Sequence, residues 1–403
     1  SQPQQQQLAY RWFAHLEQGT SAAPEPQAES AAKSQSCALV ADLNRHPALS
    51  ALAGIPLLLW GLIALRASHA QLPRNRFAAY ELLTELLLHQ HPNKRREAAL
   101  ARTRRAGLSP GTQDDALARL AHSALEDGEE AALDESRAKD TLVAFLREHL
   151  DLPRHDALAR TEELLDVGAE AAGVLIRKAS RHLGFLHRAF LEFLAARHVV
   201  QLDLAEQSTV FSGHCGDPQW FDTLLSVLYL TRRPSDAAAL VEAIERTEAD
   251  DVGAPLRQRL LAEIAFGDFR LPPKLAKRLA RDAFTEIETG TWMPLRRSLL
   301  SLAVDGLQSD ALRTVVESRI QRWFPDRHRY RSGVYEAVGG WPSAPETLEL
   351  LWDGILNGSD SDRIAAASSL ATVFGEQEQV GKRLDRLLRC PADSGISRIK
   401  QSS

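Results

Sequence analysis

One histidine occupies a position in the sequence that suits the binding of an anion. Residues 182–186 have a β-like composition and residues 188–200 an amphipathic helical pattern, so His187 falls where a strand passes into a helix. The first turn of a helix has unpaired N–H groups and a positive dipole end, which attract a phosphate. An imidazole there can donate to a phosphate oxygen, and the dipole favours its neutral form. On position alone, a structural histidine with satisfied hydrogen bonds is the better interpretation.

Motifs for phosphoryl transfer are absent from the sequence. No GxxxxGK segment followed by Ser or Thr occurs, and Gly381-Lys382 lacks both the loop glycine before it and the hydroxyl residue after it. No apolar run ends in paired acidic residues, as a Walker B strand does. Because phosphoryl transfer needs a phosphate cradle, a lysine and a held Mg²⁺ ion, we predict that this chain alone cannot hydrolyse ATP. HExxH, GxSxG and paired Cys–His signatures are absent too, so we predict no catalytic residues.

The cysteines and acidic clusters lack the spacing of a metal site. The three cysteines lie far apart with no CxxC pair, which is typical of a protein in a reducing cytosol. His214-Cys215 has no further ligand at a suitable spacing, and Glu248, Asp250 and Asp251 are better explained as charges at a helix end. We therefore predict no metal ligands in this chain.

The composition favours helix and indicates no particular polyanionic partner. Of the 403 residues, 44% are hydrophobic and 25% charged, with Leu, Ala, Arg and Glu dominant and few segments rich in Val, Ile, Thr or Tyr. A net charge of −5 gives no general reason to expect a nucleic-acid or membrane partner. The basic clusters at residues 94–96, 102–105 and 327–331 are better explained as solvated surface.

Nothing in the sequence indicates export or membrane insertion. Residues 1–7 are polar, and the longest apolar run, residues 51–65, is too short to span a bilayer comfortably. We therefore expect a cytoplasmic protein with no membrane partner. Because the only methionine is Met293, we also expect the chain to be part of a longer or processed protein.

The order of the sequence patterns predicts a mainly α protein with four parts. The parts are a helical domain at 1–70 with a flexible loop at 19–36, a winged-helix domain at 71–205, a helical-repeat region at 206–390 and a disordered tail at 391–403. The loop is predicted because residues 19–36 are rich in Ala, Ser, Pro and Gln without an apolar period. The β-like residues 173–177 and 182–186, which come after several helices, predict the small hairpin of a winged helix.

The second half of the sequence predicts one helix after another. Two successive helices fill about 40 residues, the scale of HEAT and armadillo repeats, so we expect an α-solenoid-like array. The predicted helices are 220–230, 235–248, 254–264, 273–287, 294–307, 310–323, 333–338, 344–356, 361–373 and 377–388.

Three segments, taken in order, resemble one family. They are HPALSALAGIPLLLWGLIAL at 46–65, LPRNRFAAYELLTELLL at 72–88 and GFLHRAFLEFLAARHVV at 184–200. Together they resemble the region C-terminal to the nucleotide-binding core in NACHT ATPases of the STAND class, where a helical domain with a "PLLL" segment leads to a winged helix ending in "FxHxxFxEFLAA". The segment DPQWFDTLL at 217–225 is also similar to the stretch after the winged helix in that family.

The resemblance implies a cofactor and two binding residues. Pro56 matches the proline that packs on the adenine base, and His187 matches the winged-helix histidine that reaches the β-phosphate of bound ADP. A flat apolar ring on a buried turn would offer a purine a dry face, although Pro56 could equally just begin a helix. The resemblance also implies ADP or ATP, with Mg²⁺ supplied by a nucleotide-binding core in the same polypeptide. Phe190 and Phe193 are better explained as core residues.

Three functions remain open from the sequence. The first is the regulatory and sensor part of a NACHT-type switch, which binds a protein ligand or self-oligomerises through the helical repeats. The Arg- and Ala-rich, Lys-poor composition indicates a GC-rich bacterial genome, and the resemblance implies a role in defence or signalling. The second is a helical-repeat scaffold for protein partners without nucleotide function. The third, which the sequence supports least, is DNA binding by the winged helix, because residues 188–200 are too apolar to enter a groove.

Overall fold

Helices make up most of the structure, and the described residues contain a single small sheet of three strands. The computed structural model describes residues 2–20, 25–45, 47–69, 71–73, 75–90, 108–128, 133–166, 174–178, 181–248, 253–306, 309, 311–323, 335, 345–374 and 380–383. The chain divides into two compact units, Ser1–Thr247 and Glu248–Ser403. The mainly α fold, with a winged helix and a helical array, is as the sequence predicts. The predicted tail at 391–403 lies outside the described residues.

The first unit begins with a group of four helices. They are α1 (Gln2–Thr20), α2 (Glu25–Arg45), α3 (Pro47–Leu52) and α4 (Pro56–His69). The prediction of a flexible loop at 19–36 was wrong for most of its length, because α2 begins at Glu25. Ala32, Ser36, Leu39 and Leu43 of α2 are buried, at spacings that place them on one face. The first two members of this face are too small to produce an apolar signal, which is why the sequence pattern missed the first half of the helix.

The next helix, α5 (Arg76–Glu85), is packed tightly against α4. The Asn75 side chain accepts a hydrogen bond from the Ala78 N–H and so caps α5. A Cβ atom at Gly61 of α4 would clash with the Leu83 side chain of α5, so the glycine allows the two helices to approach closely. A single π-helical turn, Leu86–Gln90, extends α5.

A winged helix-turn-helix comes after α5 in the chain. Its elements are α6 (Pro110–Glu126), β1 (Leu133–Asp134), α7 (Glu135–Leu150), α8 (Arg154–Asp166), β2 (Leu175–Arg177) and β3 (His182–Phe185). The strands are antiparallel in the order β1-β3-β2, with Leu133 opposite Leu183 and Leu175 opposite Phe185. The hairpin of β2 and β3 is at the predicted place. Strand β1 was missed, because two residues are too few to show an alternating pattern.

Helix α9 (Arg188–Val199) is the central element of the first unit. Nine of its residues are buried, among them Phe190 and Phe193, whose assignment to the core is confirmed. The helix packs against α5, α6 and a later helix, α11 (Phe221–Leu230). Because α9 is enclosed by neighbours, a residue at its first turn has a rigid support.

Two further helices complete the first unit, α10 (Leu204–His214) and α12 (Pro234–Arg246). The sequence did not predict α10, although a capping box formed by Asp203 and Glu206 defines its start. The array was predicted to begin at 206, whereas α10, α11 and α12 belong to the same compact unit as the winged helix.

The second unit is a helical array in the described residues. Its helices are α13 (Ala254–Phe266), α14 (Pro273–Thr289), α15 (Met293–Asp305), α16 (Arg313–Trp323), α17 (Pro345–Asn357) and α18 (Asp360–Phe374). Helix α14 packs against α13 and α15, and α17 packs against α18. The predicted helices at 333–338 and 377–388 lie mostly outside the described residues.

Candidate functional site

The candidate site is built around His187, which stands between β3 and α9 as predicted. Strand β3 ends at Phe185, and the Leu186 N–H donates to the Val174 carbonyl at 2.8 Å. His187 then has extended backbone angles, φ −151° and ψ 147°, and is the N-cap residue of α9. Its carbonyl accepts the Phe190 N–H at 3.0 Å. The sheet and the buried helix therefore fix the backbone of His187 from both sides.

The imidazole of His187 itself caps the helix. Its Nδ1 accepts a hydrogen bond from the Ala189 N–H at 3.1 Å. A nitrogen that accepts carries no proton, so the proton of a neutral ring lies on Nε2. Burial lowers the pKa of His187, which favours the neutral ring at pH 7. The arrangement therefore fixes the tautomer in which Nε2 is an N–H donor.

The Nε2 of His187 forms no hydrogen bond with any residue that the structure describes, and the side chain is half-buried. The sequence predicted that an anion would find unpaired backbone N–H groups at the start of the helix. The structure corrects this detail, because the Ala189 N–H is already bound to the imidazole. The donor that His187 can offer an anion is therefore its Nε2–H, at the positive end of the dipole of α9.

A cation lies beside His187. The Arg188 guanidinium donates to the Glu192 carboxylate at 2.7 Å and to the Gln219 carbonyl at 3.2 Å. Glu192 thus orients an arginine in the first turn of α9. Gln219 belongs to the DPQWFDTLL segment, so the start of α9 is tied directly to the loop before α11.

Pro56 is the first residue of α4, which agrees with its predicted place in a first helical turn. The sequence placed it on a buried turn, and this was wrong: the residue is exposed, although Ala53 and Leu58 near it are buried. Its ring is therefore accessible to a ligand, but the dry surroundings that a purine prefers would have to come from another part of the protein. No hydrogen bond among the described residues joins the elements of Pro56 and His187 directly; α5 packs against both α4 and α9.

A cluster of histidines, of which His122 is buried and two others are half-buried, lies in the same unit and was not revealed by the sequence. The His122 ring lies 4.8 Å from that of His198 and 5.6 Å from that of Trp220, and the His214 ring stacks on Trp220 at 4.0 Å. Burial, together with nearby cations, lowers the pKa of His122 to about 3 and that of His198 to about 4. The four residues come from three separate helices and a loop, so no sequence spacing could have revealed the cluster.

The second helix of the helix-turn-helix does not present a basic surface for DNA, although the hairpin carries exposed basic side chains. The second helix of the helix-turn-helix is α8, not the helix at 188–200 that was considered from the sequence. Helix α8 carries two arginines against four acidic residues, and Asp166 pairs with Arg177 of β2. Leu158, which is 44% exposed, adds an apolar side chain to this face. A groove-reading helix needs an excess of positive charge, which α8 lacks.

The order of helices and strands, with the sheet order β1-β3-β2, defines a winged helix-turn-helix domain. Residues 76–199 match the family described as "Winged helix-turn-helix domain C-terminal to NACHT". This stretch, from α5 to α9, is therefore a NACHT-type winged helix, and the resemblance drawn from the sequence is confirmed there. The match includes His187 and ends before α10.

Similarity to other known proteins is limited. The chain is similar to the chorismate synthase of Pyrococcus abyssi (strain GE5 / Orsay), with 27% identity over 109 residues, 27% of this chain and 31% of that protein. The chain thus spans under a third of the curated relative that it matches. No solved structure matches the chain. In the described part of the chain, no helix is sufficiently long and apolar to cross a membrane.

Proposed function

We propose that this chain is the regulatory and sensor region of a NACHT-type STAND signalling ATPase that switches with its bound nucleotide, in bacterial defence or signalling. A nucleotide-binding core in the same polypeptide would hold ADP or ATP and the Mg²⁺ ion. The observation that carries the proposal is the fixed Nε2–H donor of His187 inside a winged helix of the NACHT type.

His187 would contribute a neutral hydrogen-bond donor to the β-phosphate of ADP. Because Nδ1 is occupied by the Ala189 N–H, the donor is fixed before the nucleotide arrives and no tautomer change is needed. The charge of Arg188 lies one residue away, but its hydrogen bonds hold it to Glu192 and Gln219. We therefore assign the contact to His187 and a supporting electrostatic role to Arg188.

Pro56 would pack against the adenine base. Its exposed ring at the start of α4 supports this role, since a purine can cover an apolar surface that otherwise faces water. The remaining walls of the adenine site would belong to the nucleotide-binding core. Pro56 therefore contributes part of an interface and does not form a binding site by itself.

The switch would move the winged helix as a rigid body. Helix α9 is buried against α5, α6 and α11, so a displacement of His187 would move these helices together with α9. ADP would hold the winged helix on the core in a closed monomer. Exchange to ATP, together with a protein ligand on the helical array, would release it and allow self-oligomerisation.

The test uses the full-length polypeptide with its nucleotide-binding core and two substitutions of His187. His187→Asp keeps a side-chain acceptor for the cap of α9 but places a negative charge where the phosphate would lie. His187→Ala removes both the side-chain acceptor that caps α9 and the Nε2–H donor to the phosphate. We expect both variants to lose the ADP that the wild-type protein retains after purification and to shift from monomer to oligomer, as measured by chromatography of the released nucleotide and by light scattering.

His155→Ala is the matched control, because His155 lies on α8 of the same domain and its side chain is 82% exposed. It should leave both the retained ADP and the monomer unchanged. The proposal fails if His187→Asp retains ADP as the wild-type protein does. That result would make His187 a structural cap and would favour the helical-repeat scaffold.

A further inference from the structure

One face of α14 in the second unit carries a row of basic side chains. Lys274, Lys277, Arg278 and Arg281 have the spacing i, i+3, i+4, i+7, which places them on one side of the helix. Lys274, Arg278 and Arg281 are exposed and Lys277 is half-exposed. With a rise of 1.5 Å per residue, the row is about 10 Å long. We call these four residues the basic surface of α14.

The opposite face of α14 explains why the basic surface points outward. Six side chains of the helix are buried, and the helix packs against α13 and α15. The buried residues are Ala276, Leu279, Ala280, Ala283, Phe284 and Ile287. Because this apolar face fixes the rotation of α14, the basic side chains cannot turn inward.

Three of the four charges are not neutralised within the part of the chain that the structure describes. Lys274, Lys277 and Arg281 form no ion pair there, whereas Arg278 has Asp282 at 3.9 Å. By comparison, Arg246 pairs with Glu242, and Arg319 pairs with Glu288. The row also begins at the first turn of α14, where the helix dipole adds positive potential.

We propose that the basic surface of α14 docks an acidic protein segment, one that presents carboxylates at helical spacing. Such a segment can place a carboxylate near each of the four cations at once. The inference rests on the proposed function in one respect: if the chain is a sensor region, the acidic segment is its ligand. The docking itself is a consequence of the charges on α14.

The limited length of the row favours a protein segment over nucleic acid. Beyond Arg281 the same face continues with Thr285, Glu288 and Thr289, so the positive potential ends after two turns. A nucleic acid backbone is uniformly charged along its length and is bound through many phosphate contacts, for which a row of two helical turns offers little surface. The face also has no aromatic residue on which a single-stranded base could stack.

The test measures binding of the whole chain to a synthetic helical peptide of about 20 residues, a length at which an isolated helix begins to be stable. The peptide carries glutamates at i, i+3, i+4 and i+7, and a second peptide has glutamines in their place. We expect the glutamate peptide to bind, measured by fluorescence anisotropy, with an affinity that falls between about 50 and 200 mM salt. The glutamine peptide should not bind.

Lys274→Glu/Arg281→Glu should weaken binding of the glutamate peptide by at least about tenfold, because two attractive charges become repulsive. Arg232→Glu/Arg233→Glu is the matched control: it changes the net charge equally at two exposed arginines of the first unit and should have no effect. Circular dichroism should show the same helix content in all three proteins, since every changed side chain lies at the surface.

Three results would overturn the inference. The first is that the glutamate peptide does not bind at all, and the second is that the two charge-reversed proteins lose the same amount of affinity for it. The third is that duplex DNA binds as tightly as the peptide and that the Lys274→Glu/Arg281→Glu protein no longer binds the DNA. A measurement of the ADP retained by the full-length protein distinguishes a failure of the docking surface from a failure of the nucleotide switch. The α14 variant should keep ADP, and peptide binding that persists after His187→Asp would leave the docking surface standing even if the nucleotide switch failed.

Discussion

His187 shows how a single side chain can serve both the fold and the proposed ligand. Its Nδ1 satisfies the Ala189 N–H at the start of a buried helix, and this bond leaves the Nε2 proton available. The structural interpretation of His187 and the phosphate-binding one therefore do not compete, because they use different atoms of the ring. His187→Asp separates capping from phosphate binding, since an aspartate can still cap α9 but repels a phosphate.

The buried histidine of this cluster, His122, leads to a prediction about acid stability. His122 is 4% exposed, and neither of its ring nitrogens has a hydrogen bond among the described residues; Nδ1 lies 3.3 Å from Glu126 without hydrogen-bond geometry. Burial lowers the pKa of His122 from 6.5 to about 3. Between these two pH values the unfolded chain binds a proton that the folded chain excludes, so stability falls as the pH falls.

From this difference we expect His122 to remove about 2 kcal/mol of unfolding free energy between pH 7 and pH 5. Urea denaturation of the chain at the two pH values measures the loss, and His122→Leu should reduce it. His155→Gln, at an exposed histidine, should not change it. An equal pH dependence in the His122→Leu protein and the wild type would show that the buried ring does not control acid stability.

At the scale of elements, the helix starts are fixed by short polar contacts. Asn75, Ser109, Asp134 and Asp203 each accept a hydrogen bond from the first turn of the next helix in the chain. The cap of α10 is reciprocal, because Glu206 accepts the Asp203 N–H at 3.1 Å while Asp203 accepts the Glu206 N–H at 2.8 Å. The sequence did not predict α10, although its start is marked by a capping box in which both hydrogen bonds are formed.

This capping box gives a second prediction. Asp203→Ala should lower the unfolding free energy by about 1 kcal/mol, because it leaves the Glu206 N–H in the first turn of α10 without its acceptor. Asp203→Asn is the control, since asparagine caps nearly as well. Urea denaturation followed by circular dichroism compares the three proteins. A loss in Asp203→Asn as large as that in Asp203→Ala would show that charge, and not capping, is responsible.

At the scale of the whole molecule, the winged helix is joined to the helices C-terminal to it. Arg76 of α5 donates to Asp222 of α11 at 2.8 Å, and the Phe77 and Tyr229 rings stack at 5.8 Å. Trp220, just before α11, is 1% exposed. These contacts place α11 in the core of the first unit, although the sequence assigned it to the array.

The third prediction concerns the boundary of this unit. A fragment ending at residue 247 should fold and melt cooperatively, whereas one ending at residue 205 should be less stable and aggregate, because it lacks α11 and exposes the apolar surface of α9. Differential scanning calorimetry and light scattering of the two fragments provide the comparison. Equal melting temperatures would place the boundary at 205, as the sequence suggested.

The sequence by itself determined the helical class, the hairpin and the position of His187. These depend on local periodicity, on turn residues and on a family pattern, all of which are readable within short segments. Most helix boundaries in 220–374 differ from the structure by only a few residues for the same reason. The sequence could not show the first half of α2, whose buried face begins with Ala32 and Ser36, nor the two-residue strand β1.

Only the tertiary structure decided which residues meet. The histidine cluster joins His122 to His198 across 76 positions of the chain, and the exposure of Pro56 depends on what packs around α4. The role of His187 Nδ1 in capping α9 likewise requires a backbone geometry that β3 and α9 fix together. Burial and side-chain partners arise from contacts between distant segments, and a one-dimensional pattern does not contain them.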